Sequence, residues 1–86
     1  MRRSRLGPFV VEIPESRRER RRGLLGRDSL VPGHGMLFEG ARSVHTFGMR
    51  FAILVAFLDR NDRVLRTRLL PPRRLAWCRD ARNVLE

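Results

Sequence analysis

The 86-residue sequence contains no lysine, no tyrosine and a single cysteine, Cys78. One cysteine excludes an intramolecular disulfide and any zinc site built mainly from thiolates. The longest uninterrupted apolar run, residues 51–58, is far shorter than the roughly 20 residues that a membrane-spanning helix needs. The first residues also lack the apolar stretch of about 7 to 15 residues that defines a secretory signal, which favours a cytoplasmic protein.

Positive charge is the strongest feature of the composition. The chain has 19 basic residues, all of them arginine, against 9 acidic residues, and its formal net charge is +10. Nucleic acid, anionic lipid and acidic proteins are therefore the first partners to consider. The phenylalanines and the single tryptophan lie mostly among apolar neighbours and not between arginines, so the pattern indicates affinity for anions more than recognition of bases.

The hydropathy pattern predicts several short strands. Residues 9–13 alternate between apolar and polar faces, and residues 51–58 are apolar on both faces, as a central strand requires. Turn-forming residues at 59–62 predict an antiparallel hairpin between 51–58 and an edge strand at 64–70. Further strands are expected at residues 43–49, 75–78 and 83–86.

One short helix has a clear start signal. Ser16 and Glu19 match the capping box, in which the serine side chain accepts from the backbone of the third helical residue and the glutamate returns the bond. The helix is expected to reach about Leu25, because Gly23 and Gly26 loosen and stop it. Residues 1–7 are expected to form a flexible basic arm.

These elements predict a single mainly β domain over residues 1–86, with one short α-helix near residues 16–25. The architecture that best accommodates them is a small antiparallel β-sandwich or jelly-roll-like barrel.

Five segments resemble the domain of unknown function 192 family in their order and spacing. They are residues 22–27 (RGLLGR), 35–38 (GMLF), 43–51 (SVHTFGMRF), 55–59 (VAFLD) and 84–86 (VLE). The resemblance covers nearly the whole chain from Phe9 onward. It implies a compact β-sandwich of jelly-roll type and assigns no biochemical activity.

The chain departs from the family pattern at three places. Ala52 and Leu54 stand where family members usually have proline and aspartate, which weakens any catalytic role carried over from the family. Ala41 stands where members often have a cysteine. The family pattern also continues beyond Glu86, so either the sequence is shortened or a last strand is missing, and the sheet edge that this would leave is expected to favour a homodimer.

The resemblance places the most specific motif content around one strand and the loop before it. The ligand-binding residues expected there are Arg27, His45, Met49 and Arg50. Arg27 and Arg50 also have a structural interpretation, as clamps that tie loop carbonyls or a carboxylate such as Glu39 or Asp59. A soft-metal set of His34, Met36, His45 and Cys78 is disfavoured, since its spacing matches no known ligand pattern, and no metal or cofactor is expected.

Seven arginines are candidates for contacts with an anion or with nucleic acid: Arg17, Arg18, Arg20, Arg21, Arg22, Arg73 and Arg74. A solvated helix face is the alternative interpretation of the first five. Asp59 and Asp62 are more consistent with capping a turn than with acid–base catalysis, and Cys78 has no evident catalytic base.

The function favoured by these residues is non-enzymatic binding of an anionic ligand or a protein partner. Nonspecific nucleic-acid binding through the arginine-rich surface is the alternative. An enzyme with a site around His45 is a third hypothesis, since neither a nucleophile with its base nor a metal cluster is visible.

Overall fold

A computed structural model describes residues 1–86 and contains one helix and eight strands. The elements in chain order are β1 (Arg2–Leu6), β2 (Phe9–Ile13), α1 (Arg17–Arg22), β3 (His34–Glu39), β4 (Ser43–His45), β5 (Ile53–Leu58), β6 (Val64–Leu70), β7 (Leu75–Trp77) and β8 (Asn83–Leu85). The prediction of a mainly β domain with one short helix is confirmed. The only helix has six residues, and no helix is long and apolar enough to cross a membrane.

The strands form a six-stranded sheet in the order β1-β2-β3-β8-β5-β6 and a two-stranded sheet of β4 and β7. The larger sheet is mixed, because β2 and β3 are parallel while every other pair is antiparallel. Parallel neighbours need a long crossover, and the connection that contains α1 supplies it. The sheet is open at β1 and β6, so it does not close into the barrel that the sequence allowed.

Residues 1–7 were expected to form a flexible basic arm, and the structure places most of them in a strand. Arg2–Leu6 form β1, which pairs with β2 from Arg2 opposite Ile13 to Leu6 opposite Phe9. Gly7 has a φ of 58°, so Gly7 and Pro8 form a tight hairpin turn and do not merely interrupt the chain. The side chain of Arg2 also donates to Glu39 at 2.7 Å.

The predicted hairpin of β5 and β6 is present, and β6 lies at an edge of the sheet, as expected. Its turn depends on Asp59, whose Oδ1 accepts from the backbone N–H of Arg63 at 2.9 Å and of Asn61 at 2.8 Å. These two bonds, the one from Arg63 first, lower the pKa of the Asp59 carboxyl. Asp59 therefore has the turn-capping role that its position predicts.

The strand predicted near residues 83–86 occupies the centre of the sheet. β8 pairs with β3 on one side and with β5 on the other, and β3 and β5 are not paired with each other. Its central residue, Val84, is 1% exposed and belongs to the main core cluster with Phe57 and Val55. A smaller cluster contains Val11, Ile13, Leu37 and Leu58.

The capping box predicted at the start of the helix is present. Glu19 N–H donates to Ser16 Oγ at 3.0 Å, and Ser16 N–H donates to Glu19 Oε1 at 3.1 Å. None of its six residues is buried, so α1 is held through the chain that follows it, where Leu24 is 2% exposed. A side chain at Gly23, whose φ is 48°, would lie 3.2 Å from the ring of Phe38, so the helix end sits directly on β3.

The strand predicted at residues 43–49 is shorter than expected and ends at His45. Thr46, which is wholly buried, leaves the ladder and bonds to the loop after β6. Its hydroxyl donates to Pro71 O at 2.7 Å and accepts from Arg74 N–H at 2.8 Å. Gly48 then turns the chain with a φ of 82°.

Candidate anion-binding cleft

A cleft of about 400 Å³ lies between the end of α1 and strands β3 and β4. Its basic side chains are Arg20, Arg21, Arg22, Arg42 and His45, and its apolar lining includes Leu24, Leu25, Phe38, Ala41, Val44 and Met49. Glu86 is the only carboxylic acid among the lining residues. The cleft therefore combines an apolar wall with a concentration of positive charge.

None of the four arginines that line the cleft has a carboxylate within 4.0 Å. The carboxylate of Glu19, on the same helix, is occupied by the N-terminal ammonium at 2.8 Å and by the capping box. These bonds, the one from the N-terminus first, lower the pKa of Glu19 to about 2. The guanidinium groups of the cleft are thus left free for an external anion.

One cleft arginine is oriented by an aromatic ring. The guanidinium carbon of Arg20 lies 6.0 Å from the centroid of the Phe38 ring, at the limit of a cation–π contact. Phe38 is itself 9% exposed and fixed in the main core. Arg20 is therefore partly positioned before any ligand arrives.

The carboxyl group that Glu86 contributes to the cleft is an unusually weak acid. Burial raises the pKa of this carboxyl from 4.5 to about 7. No arginine forms an ion pair with it. At neutral pH about half of the Glu86 carboxyl is therefore protonated, which removes about half of the repulsion that an anion would otherwise meet there.

The structure separates the four ligand-binding residues predicted from the sequence into two pairs. His45 and Met49 line the cleft, whereas Arg27 and Arg50 do not. Arg27 pairs with Glu12 at 3.1 Å and Arg50 pairs with Asp28 at 3.0 Å. Both arginines thus hold carboxylates as the clamp interpretation predicted, but neither bonds to Glu39 or Asp59, which were the suggested partners.

The arginines predicted to contact an anion are also divided. Arg20, Arg21 and Arg22 line the cleft, while Arg17, Arg18, Arg73 and Arg74 lie outside it and are exposed. Arg42 and Glu86 were missed. The available signal was their position, since Arg42 directly precedes the segment 43–51 and Glu86 ends the segment 84–86. Nothing local in the sequence places Arg42 beside α1, and Glu86 is brought there only by the pairing of β8 with β3.

The histidines and the cysteine do not form a metal centre in this structure, where no group of three or more His, Cys, Asp or Glu is close enough to hold an ion. His45 stacks on Phe47 with ring centroids 5.7 Å apart and makes no hydrogen bond to Glu86. Met36 is fully buried in the core, and Cys78 is half-buried against the same cluster.

Four of the five segments that carry the family resemblance contribute residues to this cleft, namely 22–27, 35–38, 43–51 and 84–86. The fifth, 55–59, lies mostly in β5, whose Val55 and Phe57 are buried in the core. The motifs of the chain therefore converge on one surface site and on the core beneath it.

These features define a small mixed-sheet β domain with a basic cleft, and a family model identifies the class to which it belongs. The model of domain of unknown function 192, described as an uncharacterized ACR, matches residues 2–86. The chain is a member of this family. No curated protein matches its sequence.

Two crystal structures share the fold. A protein from Sinorhizobium meliloti 1021, described as a candidate transcription regulator, is 21% identical and superposes with a TM-score of 0.78. A protein of unknown function from Novosphingobium aromaticivorans DSM 12444 is 17% identical, with a TM-score of 0.73. In each case the match covers 90% of this chain, but it spans 66% of the first protein and 62% of the second.

Proposed function

We propose that the cleft binds a small anion that carries an apolar body, with a phosphate or carboxylate as its charged group. The observation that carries this proposal is the convergence of four arginines without carboxylate partners, Arg20, Arg21, Arg22 and Arg42, around an apolar wall. Small-molecule sites commonly have volumes of about 300 to 1,000 Å³ and combine an apolar lining with a few polar groups, and this cleft fits that description.

The charged group and the body of the ligand would use different parts of the cleft. A guanidinium offers a planar fork of donors that matches two oxygens of a phosphate or carboxylate. Leu25, Phe38 and Met49 offer apolar surface for the rest of the molecule. An anion without an apolar body, or an apolar body without a charge, would use only half of these contacts.

Protonation of Glu86 supports the same proposal and gives it a pH dependence. Below its pKa of about 7 the carboxyl is neutral and can donate a hydrogen bond, whereas above it the carboxylate repels an anion. The affinity for a carboxylate ligand, which stays ionised over this range, is therefore expected to rise as the pH falls from 8 to 6. Replacing Glu86 by glutamine should remove this part of the pH dependence.

Phenyl phosphate is a suitable probe because it joins an aromatic body to a dianion. Titration into ¹⁵N-labelled protein should shift the amide signals of Arg21, Arg42 and His45, with an affinity at least about tenfold above that of inorganic phosphate or phenol. Shifts centred on Arg73 and Arg74, or equal affinity for all three compounds, would contradict the proposal.

A matched pair of double variants tests the arginines. Arg21→Gln with Arg42→Gln removes two charges from the cleft and should weaken phenyl phosphate binding at least about tenfold. Arg17→Gln with Arg18→Gln removes the same charge from α1 outside the cleft and should change the affinity by no more than about twofold. An equal loss in both variants would show that net charge alone attracts the anion.

Nonspecific nucleic-acid binding is a second candidate function. It is favoured by Arg17, Arg18, Arg73 and Arg74, which are exposed and form no ion pair. Binding of a labelled duplex should then fall steeply with salt, and the variant Arg17→Gln with Arg18→Gln should weaken it. An affinity that is insensitive to salt would eliminate this candidate. A cytoplasmic location remains part of both proposals and is tested by cell fractionation.

A further inference from the structure

A second basic surface lies at β6, and it shares no lining residue with the cleft. β6 is the outermost strand of the larger sheet and pairs only with β5. Its seven residues contain no proline, and the first six are exposed. The backbone groups on its outer side therefore offer a row of unused donors and acceptors, to which another strand can add.

The two faces of β6 differ in chemistry. Arg66 lies opposite Phe57 and Arg68 opposite Val55, and both partners are fully buried, so these arginines are on the face of the sheet that covers the core. Leu69 lies opposite Leu54 on the other face, and the two are 68% and 63% exposed. An added strand would thus meet positive charge on one face and apolar surface on the other.

A groove of about 280 Å³ extends the charged face of this edge. It is lined by Arg66 and Arg68 of β6 and by Leu75, Ala76 and Trp77 of β7. Neither arginine has a carboxylate within 4.0 Å, and Trp77 is 64% exposed. Acidic side chains that enter the groove would find two free guanidinium groups beside an apolar wall.

We propose that the edge of β6 binds an extended segment of a partner protein in which acidic and apolar residues alternate. The acidic residues would face Arg66 and Arg68, and the apolar residues would lie beside Leu69 on the other face of the sheet. Alternation follows from the geometry of a strand, because successive side chains point to opposite faces of the sheet.

Charge decides between this partner and a second copy of the chain. Antiparallel pairing of two β6 edges would bring Arg66 and Arg68 of both copies together, and inward-pointing charges of this kind hinder edge-to-edge association. The expectation of a homodimer through an open sheet edge is therefore not favoured at β6. Nucleic acid would use the arginines and Trp77 but would leave the backbone edge and Leu69 without contacts.

The test uses a blocked, fluorescein-labelled octapeptide of alternating glutamate and valine, measured by fluorescence anisotropy. Binding is expected, and peptides with lysine in place of glutamate, or with the four glutamates and four valines in separate blocks, should bind at least about tenfold more weakly. Hydrogen exchange of the β6 amides should slow when the alternating peptide is bound.

Variants of the protein locate the interaction. Arg66→Gln with Arg68→Gln should weaken binding of the alternating peptide at least about tenfold, while Arg17→Gln with Arg18→Gln, of equal charge, should leave it within about twofold. Leu69→Thr, which keeps a residue suited to a strand, tests the apolar face and should also weaken binding. Circular dichroism checks that each variant is folded.

Three results would overturn the proposal. The lysine peptide could bind as well as the glutamate peptide, or the two double variants could weaken binding equally. An oligothymidylate could bind in place of the peptide and depend on Trp77 and Arg66, which would assign the surface to single-stranded nucleic acid. A dimer in light scattering that Leu69→Thr dissociates would assign it to a second copy.

Discussion

Met36 and Glu86 are joined by two backbone hydrogen bonds, with Met36 N–H donating to Glu86 O at 2.9 Å and Glu86 N–H donating to Met36 O at 2.8 Å. The pair continues the ladder of β3 and β8 one residue beyond Leu85. It fixes the backbone from which the Glu86 side chain enters the cleft, so the geometry of the candidate site depends on β3 as much as on α1.

Gly35 is required for this approach of the two strands. A methyl group at Gly35 would lie 2.7 Å from Glu86 O and 3.2 Å from Leu85 Cδ1, and backbone cannot move aside as a flexible side chain can. Gly35→Ala is therefore expected to destabilise the fold by about 1 to 3 kcal/mol, the usual cost of overpacking. Urea unfolding followed by circular dichroism measures this change.

Gly33→Ala is the control for steric crowding, because a methyl group there meets nothing within 4 Å although φ is 79°. Its free energy of unfolding should fall by only about 1 kcal/mol, which is the cost of a positive φ for a residue other than glycine. If Gly33→Ala proved more destabilising than Gly35→Ala, the close contact with Glu86 would not be the cause.

Glu86 makes stability depend on pH. Its folded pKa of about 7 exceeds the ordinary value of 4.5, so between these values the unfolded chain loses a proton that the folded chain retains. The contribution of Glu86 is therefore fully favourable below pH 4.5 and is lost as the pH rises to about 7, with an upper limit of roughly 3 kcal/mol. Glu86→Gln should accordingly match the wild type near pH 4.5 and exceed its stability at pH 8.

Urea unfolding at pH 5 and pH 8 measures the Glu86 effect. Glu15→Gln makes the same change of charge at an exposed side chain and should show no comparable gain at pH 8. A Glu86→Gln variant whose stability tracks the wild type at both values would disprove the raised pKa.

Thr46 connects the end of β4 to the loop after β6. Thr46→Val keeps the shape of the buried side chain but removes the donor to Pro71 O and the acceptor for Arg74 N–H. Two backbone groups then lose partners, so we expect a loss of about 1 to 3 kcal/mol in urea unfolding and faster hydrogen exchange at Arg74. Thr67→Val, at an exposed position, should stay within about 0.5 kcal/mol of the wild type.

Ser16 controls the helix that carries three of the cleft arginines. Ser16→Ala removes the acceptor for Glu19 N–H and should cost about 0.5 to 2 kcal/mol. Because Arg20, Arg21 and Arg22 belong to this helix, phenyl phosphate affinity should fall as well. Ser29→Ala, at an exposed serine without a hydrogen bond in its loop, should leave both stability and affinity unchanged.

Local signals were enough to predict the helix start at Ser16 and the turn at Asp59, because each depends on hydrogen bonds between residues close in sequence. Pairings between distant segments carry no such signal. The parallel pairing of β2 with β3, and the placement of β8 between β3 and β5, join segments far apart in the chain. β1 was missed for a different reason, since its arginines lack the apolar alternation by which strands are recognised.

In the candidate site, too, the residues with a local sequence signal were predicted and those placed by distant pairings were not. His45 and Met49 were predicted because they lie within a motif-like segment, and Arg20 to Arg22 because they form a dense run of charge. Arg42 stands alone between β3 and β4, with no local signal of its role, and Glu86 reaches the cleft only because β8, which it follows, pairs with β3. Arg27 and Arg50 were predicted to lie in the site because they belong to motif-like segments, and nothing local revealed Glu12 and Asp28 as their partners.

The central position of β8 also bears on how the protein folds during synthesis. β1, β2 and β3 emerge from the ribosome first, and β5 and β6 can close their hairpin soon afterwards, but β3 and β5 have no hydrogen bonds to each other. The two halves of the sheet can be joined only after residues 83–85 have left the exit tunnel. Until then each nascent half exposes an unpaired strand, and we expect that interval to be when the chain most needs protection by chaperones.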